Sequence, residues 1–126
     1  MDSDELKKRF KMFSLRIIKM VDSMPNMISG NAIAKQIVRS GTSPAANYRA
    51  ACLGKSDKDF LNKLKMVEEE LDETMHWLEI IGDSGMIKSE KLLDLSQEAD
   101  ELYRIISKFN RYIKSPSIKA SLIVNI

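Results

Sequence analysis

Apolar residues recur every three or four positions along most of this chain, with charged residues between them and short breaks separating four such stretches. That period belongs to an α-helix with one buried face. In the first stretch Leu6, Phe10, Phe13, Ile17, Met20 and Met24 are spaced 4, 3, 4, 3, 4, which predicts a helix over 4–23. Asp2 or Ser3 caps its start, and Asp4 and Glu5 sit near the positive end of its dipole. Pro25 and Gly30 bracket the turn that follows. A second helix is predicted over 31–54, with Asn31 as N-cap, Gly54 as stop, and Ile33, Ile37, Ala45, Tyr48 and Cys52 facing inward. Its middle, Ser40-Gly41-Thr42-Ser43-Pro44-Ala45-Ala46, is weak helix sequence. Pro44 removes a backbone donor, so a kink is expected there, with a loop at 40–44 as the alternative.

The third stretch is the clearest. Ser56 and Asp59 form a variant capping box, Phe60, Leu64, Val67, Leu71, Met75 and Leu78 line one face, and Gly82 ends a helix predicted over 57–82. The fourth, over 88–114, carries Leu92, Leu95, Ala99, Leu102, Ile106, Phe109 and Ile113 at steps of 3 and 4 and stops at Ser115-Pro116. Residues 115–126 form a short tail that ends in an apolar run. Four amphipathic helices joined by short turns imply an all-α fold, an antiparallel up-down-up-down four-helix bundle over 1–114.

The outer faces are not uniformly polar. At about 100° per residue, Met66, Trp77 and Ile80 fall nearly opposite the core stripe of the third helix, and Met12 and Leu15 opposite that of the first. Such a grouping points to a subunit interface, hence a homo-oligomer.

With 126 residues the chain can bury a core without disulfides or metals. Cys52 is the single cysteine, so no internal disulfide forms, which fits a reducing compartment. The charged start lacks the apolar run of a signal peptide, and no stretch approaches the roughly 20 apolar residues of a membrane span. The expectation is a cytoplasmic protein without membrane contact.

Charge changes the picture more. Residues 1–65 carry 13 Lys/Arg against 6 Asp/Glu, residues 66–103 carry 2 against 12, and residues 104–126 carry 5 against none. This segregation suits a polyanion or a second subunit. Arg104, Lys108 and Arg111 form an outward stripe on the fourth helix, and Lys8, Lys11 and Lys19 face out on the first. If those helices are neighbours, the stripes merge into one patch able to follow nucleic-acid phosphates. Only Tyr103 and Tyr112 lie among these cations, which favours backbone contacts over base stacking.

Catalytic chemistry finds little support. Glu73-x-x-His76 has the spacing of a di-iron ligand pair, but such a site needs two of these motifs and the chain has one histidine. Cys52 has no base in reach by sequence, and is read as a buried, inert thiol. No phosphate loop, zinc spacing or nucleophile elbow occurs. The expectation is a protein that is not an enzyme and uses no metal or cofactor. The acidic run Glu68-Glu69-Glu70-Leu71-Asp72-Glu73 is read as a helix face that Arg39 and Arg49 meet, within a subunit or across an interface.

Three runs carry a family resemblance: Arg39-Ser40-Gly41-Thr42-Ser43-Pro44-Ala45-Ala46-Asn47-Tyr48-Arg49-Ala50-Ala51, Ser56 to Leu64, and Val67 to Glu79. They resemble the bacterial four helix bundle proteins, relatives of the proteins encoded in intervening sequences of the large-subunit ribosomal RNA gene. The chain is similar also to the accessory variability determinant of diversity-generating retroelements. The resemblance implies a ring-shaped homopentamer with a basic surface that binds nucleic acid, RNA or DNA, without catalysis, and a possible protein partner such as a reverse transcriptase. It implies that Arg39, Ser43, Asn47, Tyr48, Arg49, Glu69, Asp72, Glu73 and Trp77 hold bundle and ring together. Gly41 and Pro44 stand where relatives often carry other small residues. The alternative function is a protein-interaction scaffold that pairs its acidic helix and apolar tail with a partner.

Overall fold

The computed structural model describes residues 1–112, which form α1 (Ser3–Asp22), α2 (Ile28–Cys52), α3 (Asp57–Asp83) and α4 (Ser89–Tyr112). Each helix packs on the next, and α1 and α4 close the bundle along a narrower seam. The predicted stripes are its core. Leu6, Phe10, Phe13 and Ile17 of α1 meet Ile37 and Tyr48 of α2, Phe60 to Ile81 of α3, and Leu92 to Ile106 of α4. Ile113 and the 115–126 tail lie outside the described residues.

Local chemistry accounts for the ends. The Asp2 carboxylate accepts from the Glu5 N–H at 2.9 Å, and the Ser56 hydroxyl accepts from the Asp59 N–H at 3.1 Å. Each satisfies a backbone donor that the first turn leaves unpaired. α2 starts three residues before the predicted cap, at Ile28, behind an N-cap Met27 that offers no side-chain bond. Asn31 sits within the first turn, where its N–H reaches the Met27 carbonyl at 2.8 Å and its side-chain amide donates to Asn26 at 3.0 Å. Gly30 is helical, and a Cβ there would stand 2.3 Å from the Pro25 carbonyl oxygen, so the chain turns back tightly over a residue without a side chain.

α2 runs unbroken through Pro44, and no loop forms at 40–44. The weak-helix sequence is a packing surface. A Cβ on Gly41 would lie 2.8 Å from both γ-carbons of Ile17, so α1 crosses α2 where one helix has no side chain. On the α3 side, the buried Ser40 and Thr74 hydroxyls are in hydrogen-bond contact at 3.0 Å, with Thr74 also 2.8 Å from the Glu70 carbonyl. Thr42 donates to the Val38 carbonyl at 2.6 Å.

Polar side chains fix how the helices face one another. Arg9 of α1 grips Glu98 of α4 through Nε and Nη2, at 3.1 and 2.6 Å, and reaches Glu101 at 3.0 Å. Asn47 of α2 donates to Glu70 at 2.8 Å, and Asn110 of α4 donates to Glu68 at 2.8 Å. The Tyr48 ring stacks on Phe10 with centroids 5.3 Å apart, and its hydroxyl donates to Ser3, which in turn contacts the Cys52 thiol, each at 3.3 Å. Burial pushes the Tyr48 phenol well above its ordinary pKa. Cys52 is half-buried and engaged with Ser3, where the sequence reading expected full burial.

Candidate nucleic-acid interface

The two basic stripes are divided among separate grooves. Along α1 and α2, Lys7, Lys8, Lys11 and Arg49 surround a groove of about 560 Å³ floored by Ala45 and Ala46. The alanines keep the floor low, so the four cations stand around it. Asp4, 3.9 Å from Lys7, is the one carboxylate paired with any of them among the described residues. Lys19 lies farther along α1, where Arg16, Lys91 and Asp94 rim a groove of about 470 Å³ between α1 and α4. Arg104 and Arg111 turn to α3 and line a third groove, of about 550 Å³, with Lys65. Lys108 sits apart, beside Met1, Ile105 and Phe109.

No described groove therefore joins the lysines of α1 to the arginines of α4. The cause lies at the seam. The side of α4 that meets α1 carries Glu98 and Glu101, both committed to Arg9. Arg104 itself donates through Nε to Asp100 at 2.8 Å. Sequence reasoning missed Lys7, Arg49 and Lys65 as members of basic grooves. The run Ala45-Ala46 one turn before Arg49 was the available signal: small residues beside a cation leave room for a ligand.

The acidic face behaves differently. Arg39 pairs with Glu73, whose carboxylate also accepts from the Trp77 indole N–H at 3.2 Å. The Arg39 hydrogen bond holds the Glu73 carboxyl below its ordinary pKa against the opposing effect of burial, with Trp77 helping. Arg49 does not meet this run in the described chain; it faces the lysines of α1. Glu69 and Asp72 are exposed.

Trp77 was expected on the open outer face. It is half-buried against the core, with its ring near the His76 ring at 4.8 Å. Its indole N–H is engaged by Glu73 one turn back while the ring packs against the core. Met66 and Ile80 are exposed on α3, and Met12, Leu15 and Ile18 on α1, of which Ile18 had not been foreseen. His76 is exposed, and Glu73, its partner in the Glu-x-x-His motif, is taken by Arg39 and Trp77.

The family model described as 23S rRNA-intervening sequence protein matches residues 4–108. The chain belongs to this family. Among solved structures, this intervening-sequence protein is similar to a crystal structure from Bacteroides thetaiotaomicron VPI-5482, described as a protein with unknown function from the S23 ribosomal protein family. The identity is 30%, the match covers 84% of this chain and 98% of that one, and the TM-score is 0.79. No curated protein matches the chain. Within the intervening-sequence protein, the family match takes in every residue of the α1–α2 groove and stops before Arg111 of the α3–α4 groove. No described helix is long and apolar enough to cross a membrane.

Proposed function

We propose that this protein is a non-enzymatic, oligomeric nucleic-acid-binding protein that follows phosphates through the groove between α1 and α2. The observation that carries this reading is the gathering of Lys7, Lys8, Lys11 and Arg49 around one open, low-floored groove. Four cations with a single carboxylate, Asp4, paired among them in the described residues attract a polyanion and release its condensed counterions on contact. The alanine floor offers no ring for a base to stack on, so the groove recognises backbone and not sequence.

Assembly is part of the same reading. Met12, Leu15 and Ile18 form a short apolar line on the outside of α1, 56%, 49% and 41% exposed. A second copy covering that line repeats the groove once per subunit, and five copies are what the resemblance implies. The same line supports a second reading, a scaffold that docks another protein there.

The test combines mass and binding. Light scattering gives the subunit number, and a labelled RNA and a labelled DNA duplex are titrated at 50 and 200 mM salt. With about four phosphate contacts the affinity falls about 50- to 150-fold over that range. An assembly that binds neither nucleic acid would leave the scaffold reading in place of this one.

A further inference from the structure

The groove between α3 and α4 differs in kind from the one between α1 and α2. Lys65 comes from α3, and Tyr103, Arg104 and Arg111 come from α4. The α1–α2 groove has no aromatic residue in its lining, whereas Tyr103 stands here among three cations. The sequence reading placed Tyr103 and Tyr112 among the cations of α4 and favoured backbone contacts over stacking; it did not place Lys65 beside Tyr103, because Lys65 arrives from another helix.

A further group gives this groove polar chemistry: Glu68 lines it, and its Oε2 is anchored by the Asn110 side-chain amide at 2.8 Å. Ser107 also lines it, but its hydroxyl oxygen is buried and does not open into the groove.

We infer that the α3–α4 groove holds an unpaired nucleotide: the base on Tyr103, the phosphates on Lys65 and Arg111. The inference rests on the nucleic-acid reading above and deepens it by naming single-stranded nucleic acid as the substrate of this second groove. The Glu68 carboxylate, held by Asn110 next to Arg111, is an acceptor for N–H or O–H donors of the nucleotide and repels a phosphate set directly beside it, so the phosphates are left to the Lys65 and Arg111 side chains. Every base has a face to stack, so the preference is for single strands and not for one sequence. A duplex keeps its bases stacked on each other and cannot offer one to Tyr103.

The experiment compares a labelled single-stranded RNA with a duplex of equal phosphate count, by anisotropy at fixed salt. The full-length protein is used as wild type and as Tyr103→Leu, Tyr103→Phe and Ser107→Ala. Tyr103→Leu leaves all charges in place and is expected to weaken single-strand binding about 5- to 100-fold without changing duplex binding. Tyr103→Phe keeps the ring, so it retains single-strand affinity and shows that loss in the leucine variant is loss of stacking. Ser107→Ala removes a hydroxyl that does not open into the groove, so it serves as a control and is expected to leave both single-strand and duplex affinity unchanged. If wild type binds both nucleic acids and Tyr103→Leu melts like wild type yet binds single strands unchanged, this inference fails and the α1–α2 reading stands. Equal weakening of single strand and duplex by Tyr103→Leu also overturns it. Wild type that binds neither overturns both.

Discussion

α2 presents two flanks, and they treat their charges in opposite ways. On the α3 flank, Arg39 is taken up by Glu73, Asn47 by Glu70, and Ser40 by Thr74. On the α1 flank, ten residues further on, Arg49 joins Lys7, Lys8 and Lys11 around open space. Both arginines are surface residues of one helix, and the difference is what the neighbouring helix brings to them. α3 brings its acidic run, and the near part of α1 brings lysines. A guanidinium whose hydrogen bonds are filled within the fold holds helices together, whereas one among like charges is available to an anion.

The contrast can be broken most severely at the crossing between α1 and α2. Gly41→Ala forces a methyl group into the γ-carbons of Ile17, a stiff β-branched side chain. We expect a loss of about 1–3 kcal/mol in urea-induced unfolding. In a double-mutant cycle with Ile17→Ala, the two changes together cost less than their sum, because each relieves the other. Additive costs would mean that the helices separate freely at this point.

Binding breaks the other flank. The triple change Lys8→Ala, Lys11→Ala and Arg49→Ala is expected to lower RNA affinity by at least tenfold at low salt. It should reduce the slope of log affinity against log salt by about 2 to 3. Arg39→Ala should leave that slope unchanged, since its charge is already neutralised by Glu73. An equal fall in slope for both variants would erase the distinction between the flanks.

The helix caps give a smaller effect. Ser56→Ala removes the acceptor of the Asp59 N–H and is expected to lower stability by about 1 kcal/mol, read by thermal melting. The smallest effect sharpens the α3 flank. Arg39→Ala should cost under about 1 kcal/mol at neutral pH, because the pair is largely exposed and screened by solvent. The Glu73 carboxyl is held below its unfolded pKa, so folding favours its charged form. That contribution is complete above the unfolded value and fades as pH falls through the lowered folded one. Wild type and Arg39→Ala should therefore begin to converge in stability as pH drops below the ordinary glutamate pKa and meet once it has passed the lowered folded one, as followed by urea melts across pH. A gap that persisted in acid would assign the effect of Arg39 to packing.

Helix identity and inward faces were legible because they are local. Leu6, Phe10, Phe13 and Ile17 declare a buried stripe through spacing alone, and Ser56 with Asp59 declares a start. The course of α2 was less legible. A rule that treats Pro44 and Gly41 as breakers cannot see that Ile17 and Thr74 need a flat surface at that height. The composition of the grooves was least legible. Which helix completes a cluster depends on how the helices are rotated against one another. The buried stripe of α4 sets its rotation, with Glu98 and Glu101 turned to Arg9 on one side and Arg104 and Arg111 to Lys65 on the other. Lys8, Lys11 and Lys19 were recognised as outward-facing, but their companions come from helices whose orientation no single helical wheel contains.

The contact of Gly41 with Ile17 has a mechanical consequence. It is the pivot of a pair of scissors whose blades are α1 and α2, with the cationic groove lying to one side. Arg49 is eight residues from the pivot, a lever arm of about 12 Å at 1.5 Å of rise per residue. Opening the blades by about 5° moves Arg49 relative to the lysines by about 1 Å, a large share of a hydrogen-bond length. A residue that touches no ligand thereby sets the spacing of the charges that do, and the one hydrogen atom of its side chain is the smallest spacer the chain could place there.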